Sequence, residues 1–92
     1  LREFPDDGYQ CARDYDDCIL LLKLFKEKID VVNLDYDLGS DRTGLDVLVY
    51  MKENSIYPRT IIVHSNHETG VKLMKEYISK NFKESVYLHR PV

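Results

Sequence analysis

Hydrophobic and polar positions divide the 92-residue chain into short alternating segments. "YQCAR", residues 9–13, alternates and is bounded by turn residues, which predicts a strand. Asp14 has the character of an N-cap, and Asp16 and Asp17 put acids into a first helical turn. From Cys18 to Ile29 the positions Ile19, Leu22, Leu24, Phe25 and Ile29 fit one helical face, and Asp30 ends the run. "VVNL", residues 31–34, is continuous and apolar, as expected of a strand covered on both faces. "GSDRTG" reads as a loop; Thr43 then caps a helix that turns Leu45, Leu48, Val49 and Met51 inward and ends by Asn54. After a turn at Tyr57-Pro58, "TIIVHS", residues 60–65, predicts a third strand. "NHETG" opens a helix carrying Val71, Leu73, Met74, Tyr77 and Ile78, and "SVYLHRPV" is a last strand stopped by Pro91.

Strand and helix alternate three times before that last strand. Such alternation predicts an α/β fold with an open parallel sheet, and right-handed crossovers predict helices on both faces. The length fits one domain over residues 1–92, because two would leave neither with a workable core. The opening "LREFPDDG" reads as a loop with a turn at Asp6-Asp7-Gly8, so a first strand is expected to be missing ahead of it.

Composition narrows the function classes. The net charge of −3 argues against a broad nucleic-acid-binding face, which needs a basic surface, yet leaves room for recognition of one phosphate. Cys11 and Cys18 form neither a disulfide framework nor a C-x-x-C pair, and read as small core thiols of a reducing, cytoplasmic setting. No apolar run has transmembrane length and no signal peptide is evident, so no membrane partner is expected.

In a parallel sheet, ligands bind beyond the carboxyl ends of the strands. Asp35, Tyr36 and Asp37 follow the second strand; His64, Ser65, Asn66 and His67 end the third; His89 and Arg90 end the fourth. Each has a structural reading beside the functional one. The aspartates serve equally as turn or helix caps, His64 as a satisfied core histidine, Ser65 as an N-cap, His89 as a solvent-facing strand residue and Arg90 as a structural ion-pair partner. No phosphate-loop spacing and no zinc pattern is present. The gathering at one rim raises the functional reading.

From Ile29 to Ile78 the chain resembles a receiver domain of flavodoxin-like topology. More specifically it resembles the cyclic-phosphate-processing receiver family, through "DYDLG" at 35–39, "TGLDV" at 43–47 and "HSNHETG" at 64–70. Arg2, Pro5 and Gly8 of the opening segment match as well. The resemblance places Asp35 at the phospho-accepting aspartate and Ser65 at the phosphate-binding hydroxyl. Tyr36 stands where the family has histidine, His67-Glu68 where Asn-Pro is common, and Arg90 where receivers carry lysine.

What the resemblance implies is a domain that binds, and as a cyclic phosphodiesterase or phosphohydrolase cleaves, a phosphate ester, with the 2′,3′-cyclic phosphate end of RNA or a nucleotide as the suggested ligand in an RNA-repair setting. In that reading His64 is the acid or base, since imidazole titrates near neutrality. Asp35 and Asp37 orient it or hold Mg²⁺ or another divalent cation. Ser65, Arg90 and Thr43 bind phosphoryl oxygens. The alternatives are a response-regulator receiver phosphorylated on Asp35, and a degenerate receiver-like interaction module.

Overall fold

The structure, a computed structural model, describes residues 14–25, 28–39 and 41–90. The strand predicted over residues 9–13, Cys11, the opening segment and Pro91 lie outside them. The elements in order are α1 (Tyr15–Phe25), β1 (Val31–Leu34), α2 (Gly44–Glu53), β2 (Thr60–His64), α3 (Glu68–Asn81) and β3 (Val86–Arg90). All six occur where the hydrophobic pattern predicts them.

α1 starts where Asp14 can cap it: Asp17 N–H donates to Asp14 Oδ1 at 2.9 Å. It stops at Phe25, short of the predicted Ile29. Lys28 N–H donates to Phe25 O at 2.8 Å, and Ile29 and Asp30 lie outside the helix. Cys18 and Leu22, four residues apart, carry the buried face. Leu24, expected inward, is 65% exposed, because with Leu20 it lies on the opposite side of the helix. On α3 the same holds for Leu73, while Met74 and Ile78 are buried.

The sheet is parallel with the order β1-β2-β3, pairing Val32 with Ile61 and Leu34 with Val63, and Thr60 with Val86 through His64 with Arg90. Val32, Leu34, Ile61 and Val63 share one face, are fully buried, and join Cys18, Leu22, Val47, Leu48, Met51, Met74 and Ile78 in one apolar cluster. Each fully buried Leu or Ile of that cluster contributes about 1.5–3 kcal/mol. Burial also pushes the Cys18 thiol up from its ordinary pKa, as suits a core residue. α2 packs on α1 and on α3, so the described helices cover the same face of the sheet.

That arrangement follows from strand order. Right-handed crossovers that keep moving in one direction place successive helices on one side; a helix changes side where the order reverses. β1-β2-β3 runs one way, so the helices expected on the second face are not among the described residues. On that face Val31, Val86 and Leu88 are exposed, and the Oδ1 atom of Asn33 is buried without a hydrogen-bond partner among the described residues.

Candidate functional site

A parallel sheet delivers every strand's carboxyl end to the same rim. The register makes the delivery specific. Leu34 pairs with Val63 and His64 with Arg90, so Asp35, one residue past Leu34, stands level with His64. Asp35, His64 and Arg90 therefore lie abreast on three neighbouring strands. His64 Nδ1 is 3.5 Å from Asp35 Oδ1. This is longer than a good N–H···O bond of about 2.7–3.2 Å, so it is a close approach that protonation of the ring would turn into an ion pair. The Asp35 side chain is 42% exposed and that of His64 24%, whereas Asp35 Oδ1 itself is shielded from solvent. The carboxylate thus turns one oxygen inward, toward the imidazole.

Ser65 follows β2 and is almost buried, at 7% exposure. Its N–H donates to Arg90 O at 3.2 Å. Its hydroxyl oxygen accepts from His67 N–H at 3.0 Å, a local turn bond that leaves the hydroxyl proton available. His89 Nε2 lies 2.9 Å from Ser65 O; a carbonyl only accepts, so Nε2 carries the proton. His89, read from the sequence as solvent-facing, is exposed as well, but this second role had no signal in the sequence.

Asp37 and Thr43 are used differently. They meet in an isolated antiparallel bridge. Asp37 Oδ1 accepts from Gly39 N–H at 2.9 Å, closing a turn in which Gly39 has φ of 75°. Thr43 N–H and hydroxyl both donate to Asp46 Oδ2, at 2.8 and 3.3 Å, which fixes the start of α2. The geometry groups Asp35, His64 and Arg90, sets Ser65 next to them, and engages Asp37 and Thr43 in the loop that leads from β1 to α2.

Small residues let the helices reach this rim. Gly44 N–H donates to Tyr36 O at 2.8 Å, and a Cβ at Gly44 would run into the Asp35 carbonyl oxygen. At Gly70 a Cβ would collide with the Tyr36 ring. That ring also stands 4.5 Å from the His67 ring, tilted by 31°. His67 in turn caps α3, its Nδ1 accepting from Gly70 N–H at 2.9 Å. Tyr36 is therefore packed between β1 and α3 and holds them together beneath the rim. Sequence reading placed His67 at the rim and as a departure from a motif, not as a cap. Its position before Glu68, at the first turn of an apolar periodic run, is the cue for a cap.

Among the described residues no group of three His, Cys, Asp or Glu side chains is placed to hold a metal ion. Asp35 faces an imidazole and Asp37 holds a backbone N–H. Mg²⁺ is commonly held through one or two carboxylates and its own waters, not through a protein cage of oxygens, and the roles below are derived for side chains alone. Among the described residues no helix is long and apolar enough to cross a membrane.

A family model described as the cyclic-phosphate processing receiver domain matches residues 1–80. No curated protein matches the chain, and neither does any solved structure.

Proposed function

The chain belongs to the cyclic-phosphate processing receiver family, and from that premise we propose that the rim binds a phosphate ester and hydrolyses it, the ester being a 2′,3′-cyclic phosphate at the end of RNA or of a nucleotide. The observation that carries this reading is the row of Asp35, His64 and Arg90 on adjacent strand ends, with the imidazole Nδ1 turned to the carboxylate.

Opening a cyclic phosphate needs a water whose proton is taken, a clamp for the charge on phosphorus, and a proton for the leaving ribose oxygen. With Nδ1 directed at Asp35, Nε2 is the ring nitrogen assigned to the substrate. Nε2 takes the water's proton as the new P–O bond forms. One of the two ribose P–O bonds breaks, the imidazolium returns the proton to that oxygen, and the product is a ribose phosphomonoester. Asp35 keeps the ring oriented and stabilises its charged form. Arg90 offers a two-pronged set of donors to phosphoryl oxygens, and the Ser65 hydroxyl adds a further donor.

Two substitutions separate this from a phospho-switch. In the hydrolytic reading, His64→Ala removes about 10²- to 10⁴-fold of turnover on an RNA oligonucleotide with a 2′,3′-cyclic end. In a switch, acetyl phosphate labels the parent protein, Asp35→Asn abolishes the label and His64→Ala spares it, because the acyl phosphate forms on the carboxylate. Parent protein that accepts label and shows no turnover with or without Mg²⁺ would overturn the proposal. Parent protein that does neither leaves an interaction module.

A further inference from the structure

Between α3 and β3 lies a groove whose lining reaches the rim at Ser65 and Asn66. It has a volume of about 480 Å³ and is lined in part by Ser65, Glu68, Lys72, Lys75, Tyr87 and His89. That volume is in the ordinary ligand-pocket range of about 300–1,000 Å³. Ser65 belongs to both places: it follows β2 at the rim, and its carbonyl accepts from His89 inside the groove. Lys72 and Lys75 are exposed, and their spacing puts them on one side of α3, facing Tyr87 and His89 of β3. The ion pairs among the described residues are Arg42–Asp46 and His64–Asp35, so these lysines are engaged in neither.

We propose that this groove holds the phosphodiester strand behind the cyclic end, so that the preferred ligand is a single-stranded RNA terminus and not a free cyclic nucleotide. The inference rests on the rim reading above and extends it. The charge balance fits: two ammonium groups against the Glu68 carboxylate leave net positive charge along the groove, in a chain whose overall charge is −3. The placement is local enough to guide a strand toward Ser65 without making the whole surface basic. Tyr87 gives the groove an aromatic wall on which a base can stack, the sequence-tolerant contact that single-strand binders use. Burial raises the Tyr87 phenol above its usual pKa, so the wall stays uncharged where the lysines are positive.

The test compares a mononucleoside 2′,3′-cyclic phosphate with a short single-stranded RNA carrying the same cyclic end, by competition in fluorescence anisotropy. The parent protein should bind the RNA about tenfold or more tightly than the mononucleotide, as one stacked base suffices for that margin. Its log affinity for the RNA should fall with log salt at a slope about 1.4 steeper than for the mononucleotide, the increment for two phosphate contacts on a single strand. Lys72→Ala/Lys75→Ala should erase that increment and leave mononucleotide affinity unchanged, since both side chains are exposed, while Tyr87→Leu should remove the stacking margin. A parent protein that binds the two ligands equally, or a slope increment that survives the double substitution, overturns the groove and leaves the rim reading in place. Failure to bind either cyclic-ended ligand overturns the rim reading and this inference with it.

Discussion

Tyr36 sits between Asp35 and Asp37 at the rim, yet its contacts are those of a packing residue. Its ring fills the space above Gly70 and lies against His67. A methyl group at Gly70 would have to displace the ring, and overpacking of this kind costs about 1–3 kcal/mol. Gly70→Ala should therefore lower the urea midpoint. In a Tyr36→Ala background the same change should be neutral or slightly stabilising, because alanine is the better helix former once the ring is gone. A Gly70→Ala protein as stable as the parent would show that the ring does not rest there. At this scale the sequence was partly legible. The strand ends announced Asp35 and His64. The cap readings of Asp37 and Thr43 were legible as well; what was not is the partner each takes, Gly39 for Asp37 and Asp46 for Thr43, because turn geometry depends on backbone angles that composition does not specify.

The elements show which information a pattern carries. Period and breakers located each helix and strand, and α2 matched its predicted bounds closely. Leu24 and Leu73 went astray because a leucine-rich run fits more than one helical face, and the neighbouring element decides which face is covered. The end of α2 holds a further detail that no periodicity exposes. Ile56 N–H donates to Met51 O at 2.8 Å and Ser55 N–H to Lys52 O at 3.2 Å, a helix stop that requires left-handed backbone at Ser55, where φ is 56°. A side chain there carries a penalty of about 1–2 kcal/mol that glycine avoids. Ser55→Gly is expected to raise stability by about 1 kcal/mol or less, the gain being reduced by glycine's greater unfolded-state entropy. A lower melting temperature in Ser55→Gly would contradict this account of the stop.

In the molecule as a whole, topology assembles the site. Three parallel strands in one-way order bring their carboxyl ends to a common rim, and the register alone sets Asp35, His64 and Arg90 level with one another. The alternation of strand and helix made the parallel sheet legible from sequence. The side on which the helices lie was not, because that depends on the direction in which strand order proceeds. The motifs "DYDLG", "TGLDV" and "HSNHETG" resolve into physical jobs: a rim carboxylate with its turn, a helix start that must pass close to the Asp35 carbonyl, and an acid–base candidate followed by a capped helix. The proposed action of the rim on a cyclic phosphate runs through His64. Phosphorus NMR of a nucleoside 2′,3′-cyclic phosphate tests it most directly, since ring-closed and ring-opened phosphorus give separate signals. The parent protein should convert the cyclic signal into that of a ribose monoester, and His64→Ala should slow the conversion by about 10²-fold or more. A cyclic signal that stays unchanged and unbroadened with the parent protein, or a conversion equally fast in His64→Ala, would contradict the account.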